Sequence, residues 1–192
     1  MNPARLAIFI SGSGSNAEKI IAHFQNHESI KVALLLSNHA EAYGLQRAAR
    51  YHIPTLVFNK TQFRESDEIV SVLKAAGVTH LVLAGFLWLI PQNLIEAFPH
   101  RIINIHPALL PKFGGRGMYG MRVHEAVKAA GETETGITIH EVNAHYDEGK
   151  ILFQQKCRVE NSDTPGQIAQ KVQQLEHRHY PATIERWVAT FS

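Results

Sequence analysis

The stretch NIHPALLP at residues 104–111 places an asparagine and a histidine two positions apart, directly before a proline. Side chains alternate between the two faces of a strand, so Asn104 and His106 project to one face and Ile105 to the other. An asparagine amide can donate a hydrogen bond to a developing oxyanion, and an imidazole can move a proton. The pair therefore indicates acid–base chemistry at a carbonyl group. A lone histidine at a strand end is more often structural, and the neighbouring asparagine is what favours catalysis.

A carboxylate able to orient the imidazole occurs in HYDEGK, at residues 145–150. If Asp147 lies beside His106, we expect it to raise the imidazole pKa, because an opposite charge favours the cation. Asp-Glu-Gly is also an ordinary turn sequence, so Asp147 carries little weight by itself.

A second candidate site is GSGSNA at residues 12–17, between a predicted strand and a predicted helix. It matches the G-x-G-x-x-G/A fingerprint of dinucleotide-binding loops, which also expects a carboxylate where the second strand ends. That strand ends in Ser37 and Asn38, which weakens the nicotinamide interpretation. A helix N-terminus rich in N–H groups remains, where Ser15 and Asn16 either cradle a phosphate or cap the helix. The loop alone favours neither alternative.

The chain has 12 histidines, which raises the question of a metal site. It contains no H-E-x-x-H motif, and His177 and His179 do not share a face of their predicted helix. The single cysteine, Cys157, supplies neither a thiolate cluster nor an internal disulfide, and it fits a reducing compartment. We therefore expect no metal ion and a cytoplasmic location.

Composition narrows the class of protein further. A chain of 192 residues can bury a full core, so we expect one domain over residues 1–192. The 19 Lys and Arg against 17 Asp and Glu leave no basic excess, which argues against nucleic-acid and membrane-surface partners. The first apolar run is too short for a signal peptide, and no stretch is long enough to span a bilayer.

Predicted strands and helices alternate along the first half of the chain. Nearly continuous apolar strands alternating with helices form parallel sheets covered on both faces. We therefore predict a doubly wound, Rossmann-like α/β fold with Asn104 and His106 at its carboxyl edge, where ligands bind in such folds. The predicted strands are 5–10, 31–37, 55–59, 80–89 and 101–106, and the predicted helices are 16–27, 42–52, 64–77 and one from Pro91.

The pattern changes after residue 122. A helix at 123–131 precedes two strands at 137–142 and 150–159, which we predict to be antiparallel, and a helix from Pro165 closes the chain. The glycine-rich stretch at 111–121 is predicted to be a mobile loop.

Six segments together resemble the folate-dependent phosphoribosylglycinamide formyltransferases, in the family's order and over nearly the whole chain. They are ISGSGSN, LLLSNHAEAYGLQRA, LVLAGF, NIHPALLPKF, TGITIHEVNAHYDEGKI and LEHRHYP. The resemblance implies one formyltransferase domain with a mostly parallel sheet and an antiparallel C-terminal portion. It also implies formyl transfer from 10-formyltetrahydrofolate to the amine of glycinamide ribonucleotide, a step of purine synthesis. Both partners are small molecules, and a homodimer is allowed.

The resemblance also assigns roles to residues. Asn104 looks like the family's oxyanion-binding and folate-contacting asparagine, a protonated His106 like its proton-transferring histidine, and Asp147 like the aspartate that holds this histidine and a water. The ribonucleotide would contact Gly14, Ser15, Asn16 and Glu176, and the folate would contact Arg64, Leu87, Trp88, Leu89 and Ile90.

This chain departs from the family pattern in two places. Trp88 and Leu89 replace the more usual Arg-Ile pair, and the loop containing GGRGMYGMR is longer than in the commonest forms. A side-chain contact to the folate at Trp88 and Leu89 does not follow from the resemblance. Neither do the contacts of the longer loop.

Related classes remain as alternatives. Formyltetrahydrofolate hydrolases use water in place of the amine but add an N-terminal domain, whereas the first strand is predicted here from residue 5. Methionyl-tRNA formyltransferases add a C-terminal domain, and the near-neutral charge does not favour tRNA binding. A nucleotide-binding module without catalysis would keep GSGSN and would not need Asn104, His106 and Asp147 together.

Overall fold

The computed structural model describes residues 3–191, and within them seven strands form one mixed sheet. Numbered along the chain, the strands lie side by side in the order β3-β2-β1-β4-β5-β6-β7. Their bounds are β1 Ala4–Ile10, β2 Ile30–Ser37, β3 Thr55–Val57, β4 His80–Leu83, β5 Ile102–His106, β6 Glu134–Glu141 and β7 Ile151–Arg158.

Helices cover both faces of this sheet. They are α1 Ser15–Phe24, α2 Tyr43–Arg50, α3 Lys60–Arg64, α4 Glu68–Ala75, α5 Gln92–Ala97, α6 Met121–Ala129 and α7 Pro165–Ala189. The long α7 begins with a capping box, in which the Thr164 hydroxyl accepts from the Gln167 N–H and Gln167 Oε1 accepts from the Thr164 N–H. In residues 3–191 no helix is both long and apolar enough to cross a membrane.

The pairing of the strands confirms the predicted fold class. β1 to β5 pair in parallel, and β6 and β7 continue the sheet antiparallel. From β1 the chain winds outward to β2 and β3, and from β4 it winds the other way. A crevice forms at the carboxyl ends of β1 and β4, because the connections leave in opposite directions there.

Each face of the sheet has its own apolar core, as β1 illustrates. Leu6, Ile8 and Ile10 face α1 and α7, whereas Ala7 and Phe9 face α4 and α5. All five side chains are fully buried, and burying each large one contributes about 1.5–3 kcal/mol. Burial on both faces explains why β1 is apolar throughout rather than alternating.

The predicted strand at 80–89 is wrong beyond Leu83, where β4 ends. Gly85 has a φ of 75°, in the left-handed region, and turns the chain out of the sheet. Phe86 then packs in the second core, while Leu87 is 43% exposed. The apolar run therefore belongs to a loop packed on the core.

The single helix predicted at 64–77 is also wrong, because two helices meet there. α3 ends at Arg64 and α4 begins at Glu68. At the break, the Ser66 hydroxyl donates to the Gln62 carbonyl at 3.0 Å and accepts from the Glu68 N–H at 3.3 Å. Serine favours such local bonds to the backbone, and they end one helix and begin the next. The other predicted elements are present, with bounds shifted by at most three residues.

Candidate functional site

A cavity of about 680 Å³ opens at the carboxyl edge of the sheet. It is bounded by the loops that follow β1, β4 and β5, by the loop between β6 and β7, and by one side of α7. Eleven of the predicted site residues line this one cavity. They are Gly14, Ser15, Asn16, Leu87, Trp88, Leu89, Ile90, Asn104, His106, Asp147 and Glu176.

The amide of Asn104 is held by a histidine on the adjacent strand. In the antiparallel pairing of β5 and β6, Asn104 lies opposite His140, and Asn104 Nδ2 lies 3.3 Å from His140 Nε2. His140 Nδ1 lies 2.8 Å from the Glu141 carbonyl oxygen, which only accepts, so Nδ1 carries the proton of the neutral ring. Nε2 then accepts one Asn104 N–H, and the second N–H remains to donate to a ligand.

The His106 imidazole is 4% exposed, and both of its nitrogens face acceptors. Nε2 lies 2.7 Å from the Phe113 carbonyl oxygen, so Nε2 carries the proton of the neutral ring. Nδ1 lies 3.5 Å from Asp147 Oδ2. A second proton would therefore enter on the side of the ring that faces the carboxylate.

The pKa of His106 is lowered from its ordinary value. Burial is the largest cause, and it outweighs the Asp147 charge and the Phe113 carbonyl, both of which raise the pKa. The predicted contribution of Asp147 thus has the right sign, and burial outweighs it. His106 is neutral at neutral pH, and the expected protonated imidazole is replaced by a neutral Nε2–H donor.

Asp147 joins three parts of the site. Besides His106, its carboxylate lies 3.5 Å from His140 Nε2 and accepts from the Gly115 N–H at 2.9 Å. Its φ of 57° is left-handed, a conformation that Asp and Asn tolerate better than other side chains. Burial raises the pKa of Asp147, but His140 and His106 in their protonated forms, together with the Gly115 N–H, lower it below its ordinary value. The carboxyl group is therefore ionised at neutral pH.

Two histidines of the cavity were missed in the sequence. His140 was read only as part of a strand, although alternation along ITIHEV places it on the face opposite Ile137 and Ile139. His124, on α6, is 5% exposed, and its Nδ1 has no hydrogen-bond partner among the described residues. Burial first, and then the charge of His106, lower the pKa of His124.

The side chains of the glycine loop after β1 do not cap α1. The cap of α1 is Gly14, with a φ of 68° and no side-chain hydrogen bond, so neither Ser15 nor Asn16 caps the helix. Asn16 Nδ2 donates to Glu176 Oε2 at 2.9 Å, and Gln173 Nε2 donates to Ser15 Oγ at 3.3 Å. The loop is thus joined to α7 by side chains, and its N–H groups remain for a ligand.

Glu176 is a half-buried carboxyl group beside this loop. Burial raises the pKa of Glu176, and the bond from Asn16 partly offsets that rise. Asn16 Oδ1 is buried with no partner among residues 3–191. An acceptor suits a hydroxyl or amine donor better than a phosphate, so the Asn16 side chain fits the sugar or amine of a ribonucleotide and its backbone N–H fits the phosphate.

The loop after β4 forms an aromatic wall of the cavity. The centroid of the Trp88 ring lies 6.0 Å from that of Phe58 and 5.7 Å from that of Phe63, so these two buried rings hold the indole in place. The Leu87 N–H donates to Ser11 Oγ at 3.0 Å, which ties this loop to the end of β1. Trp88 thus offers a fixed apolar surface in place of the arginine that is more usual in the family pattern.

Two other expectations concern groups outside this cluster. Arg64 is exposed at the end of α3 and is not among the described residues that line the cavity. Among residues 3–191, no group of three or more His, Cys, Asp or Glu side chains is placed to hold a metal ion.

Comparisons with known proteins show the family to which this chain belongs. A family model described as formyl transferase matches residues 4–184. The phosphoribosylglycinamide formyltransferase of Bacillus subtilis is 35% identical over 189 residues, which cover 95% of this chain and 93% of that protein. The crystal structure of phosphoribosylglycinamide formyltransferase from Bacillus halodurans has a TM-score of 0.87 at 35% identity, covering 98% of this chain and 97% of the other.

A plant relative shows higher identity and a longer chain. The chloroplastic phosphoribosylglycinamide formyltransferase of Arabidopsis thaliana is 46% identical over 192 residues, which cover 94% of this chain and 64% of that protein. A Vigna unguiculata protein of the same name is covered over 60% of its length. The chain thus spans somewhat over half of the length of the plant relatives that it matches.

Proposed function

This chain belongs to the formyl transferase family, and we propose that it transfers the formyl group of 10-formyltetrahydrofolate to the amine of glycinamide ribonucleotide, in purine synthesis. The observation that carries the proposal is one cavity that holds both an acid–base cluster and a glycine loop with N–H groups available to a phosphate. Relatives named phosphoribosylglycinamide formyltransferase support the choice of substrates.

The proposed chemistry begins with attack by the amine nitrogen on the formyl carbon. A C–N bond forms, and the carbonyl electron pair moves to the oxygen as an oxyanion. The remaining Asn104 N–H and the His106 Nε2–H donate to that oxygen, and donors aimed at a developing oxyanion stabilise the transition state. His106 must first exchange its bond to the Phe113 carbonyl for one to the substrate.

Collapse of the oxyanion completes the transfer. The bond from the formyl carbon to N10 of the folate breaks, its electron pair stays on N10, and N10 takes the proton lost by the attacking nitrogen. Asp147, ionised and within 3.5 Å of His106 and His140, is placed to hold a water that carries this proton. His106 Nδ1 faces the same carboxylate and can accept the proton transiently.

We assign the two ends of the cavity to the two substrates. The N–H groups of Gly14, Ser15 and Asn16 would bind the phosphate of the ribonucleotide, with Glu176 near its sugar or amine. The loop at 87–90 would hold the folate, with Trp88 against its ring system. Arg64 is assigned to the folate's glutamate tail by family resemblance alone, since it does not line the cavity.

The remaining parts of the proposal concern the whole chain. We take residues 1–192 as a single domain, acting without a metal ion in the cytoplasm, where a half-buried lone Cys157 would stay reduced. A homodimer is compatible with this mechanism, because the described residues supply every proposed role from one chain.

Incubation with 10-formyltetrahydrofolate, with and without glycinamide ribonucleotide, tests the proposal. Spectrophotometry would follow tetrahydrofolate, and mass spectrometry the formylated product. We expect tetrahydrofolate and N-formyl product in equal amounts, and only when the ribonucleotide is present. Equal deformylation without the ribonucleotide would instead identify a hydrolase. No turnover of either substrate by folded protein would exclude both functions.

A further inference from the structure

We propose that Arg47 is a positioning residue for the glycine loop, which it supports by holding one carbonyl of the loop and by neutralising Glu18. This inference rests on the proposed function, because it assumes that the loop binds the phosphate of the ribonucleotide. Arg47 lies on α2 and is not among the described residues that line the cavity, so it would act through the loop.

The first support for the proposal is the way α2 holds the loop carbonyls. Arg47 Nε donates to the Ser13 carbonyl at 2.9 Å, and the Gly44 N–H donates to the Gly12 carbonyl at 3.1 Å. In a trans peptide, the C=O and the following N–H point in opposite directions. Holding these carbonyls toward α2 therefore turns the N–H groups of Ser13 and Gly14 away from α2.

These two N–H groups are available to a ligand. In the described part of the chain, neither the Ser13 N–H nor the Gly14 N–H has a hydrogen-bond acceptor. Successive N–H groups with a common orientation form an anion-binding concavity. The bond from Arg47 is therefore placed to fix the orientation on which phosphate binding depends.

The glycine loop is also packed closely against the start of α2. A Cβ added to Gly14 would lie 2.5 Å from the Gly44 Cα, and one added to Gly44 would lie 2.3 Å from the Ile10 side chain. The loop and the start of α2 are thus in direct backbone contact. Arg47, one turn further along α2, is the side chain that extends this contact to the Ser13 carbonyl.

The second support is electrostatic. Glu18 lies in the first turn of α1, so its carboxylate is close to the site proposed for a phosphate dianion. Arg47 Nη1 forms an ion pair with Glu18 Oε2, while Arg50 approaches only to 4.0 Å from Oε1. Both Arg47 and Glu18 are about three-quarters buried, which limits screening by solvent. Arg47 would thus prevent Glu18 from repelling the phosphate.

Steady-state kinetics of Arg47→Met tests the proposal, because methionine keeps the apolar stem and removes both the donor and the charge. We expect the KM for glycinamide ribonucleotide to rise about tenfold or more, as for the loss of a charged hydrogen bond. The KM for 10-formyltetrahydrofolate should change by less than about twofold, since the polar contacts of Arg47 are with the glycine loop, α1 and the Tyr43 ring of its own helix. A purely stabilising role would lower the melting temperature and leave both KM values unchanged.

A second set of variants separates the effect of the Glu18 charge from the effect of losing the hydrogen bond to the Ser13 carbonyl. Glu18→Gln combined with Arg47→Met should recover part of the ribonucleotide affinity, because the repulsion is gone, but not all of it, because the Ser13 carbonyl is still unsupported. Arg50→Met is the matched control on the same helix, and it should leave both KM values near those of the wild type. An equal effect of Arg50→Met would overturn the role assigned to Arg47.

Asn16→Ala distinguishes failure of this inference from failure of the proposed function, because it removes the partner of Glu176 and leaves Arg47 intact. If Asn16→Ala raises the ribonucleotide KM and Arg47→Met does not, the positioning role is wrong and the substrate site stands. If neither variant changes the ribonucleotide KM, the site at the glycine loop is itself wrong.

Discussion

His80 and His106 are buried histidines on neighbouring parallel strands, but His80 lies at the amino ends of the strands and His106 at the carboxyl ends. His80 begins β4, and His106 ends β5. Burial is the largest cause of a lowered pKa for both, and the pKa of His80 falls to about 4. Burial and a shifted pKa are therefore common to both histidines and do not identify the site.

The neighbours of the two rings are what differ. His80 Nε2 faces the Arg101 guanidinium at 3.4 Å, and aromatic rings of Trp187 and Phe191 pack against the imidazole within about 5 Å between centroids. His106 faces a carboxylate, a loop carbonyl and the cavity. A cation next to His80 opposes its protonation, whereas Asp147 makes protonation of His106 accessible. The comparison teaches that the carboxylate and the cavity distinguish a histidine that can transfer protons from a structural one.

The largest expected difference between the two histidines is in turnover. His106→Ala should lower turnover by about 10²–10⁴, the range contributed by general acid–base catalysis. His80→Asn, which keeps a polar atom near the Thr79 hydroxyl, should leave turnover within about twofold of the wild type. Rates at saturating substrates check this, with circular dichroism to show that both variants are folded. Similar losses in both variants would remove the distinction.

Asn104→Ala should have the next largest effect. It removes the N–H assigned to the oxyanion, and losing one such donor costs about 10²–10³ in turnover. The KM for glycinamide ribonucleotide should change little, because Asn104 lies away from the glycine loop. Near-normal turnover in a folded Asn104→Ala protein would show that the amide does not contact the reacting oxygen.

Asp147→Asn sharpens the comparison by removing the carboxylate from beside His106. Asparagine tolerates the left-handed backbone of residue 147, so the change is chiefly one of charge. We expect turnover to fall by about tenfold to a hundredfold, less than the full acid–base contribution, and the pKa of His106 to decrease further. Nuclear magnetic resonance titration of the imidazole measures the second effect directly.

A double variant tests whether His106 and Asp147 act together. In His106→Ala with Asp147→Asn, the loss of turnover should be much smaller than the product of the two single losses, because both residues serve one transition state. Losses that simply multiply would show that the carboxylate works independently of the imidazole.

The smallest effect on turnover is expected at His80, where the change appears in acid stability. The folded protein disfavours protonation of His80, with a pKa of about 4 against an ordinary value of 6.5. The stability gained by keeping this ring neutral is therefore present above pH 6.5 and is lost as the pH falls through 4. It amounts to roughly 3 kcal/mol. Urea unfolding at pH 7 and pH 4 should show a smaller pH-dependent loss for His80→Asn, and equal losses would contradict this.

Much of the fold was predictable because its strands are buried on both faces, so apolar runs such as the one in β1 are unambiguous. The errors came where the composition of a segment does not reveal a change in the direction of its backbone. Residues 84–90 are apolar because their loop packs on the core, and nothing in their composition shows that Gly85 turns the chain. At Ser66, a local side-chain bond interrupts a helical pattern that the sequence continues.

The site was predictable in part for a similar reason. Strand alternation places Asn104 and His106 on one face from sequence alone. Finding His140 required the register of β5 on β6, which depends on contacts 36 residues apart. The net direction of the His106 pKa depended on how deeply the ring is buried, and that depth is set by the packing of several distant segments.

The bond between Asn16 and Glu176 joins residues 160 positions apart. A ribosome adds about 5–20 residues per second, so roughly eight to thirty seconds separate the synthesis of the two partners. Throughout that time the glycine loop has emerged without the helix that completes its binding surface. A nascent chain therefore acquires its proposed ribonucleotide site only after Glu176 has been synthesised. A chain whose translation stops before Glu176 would lack that site.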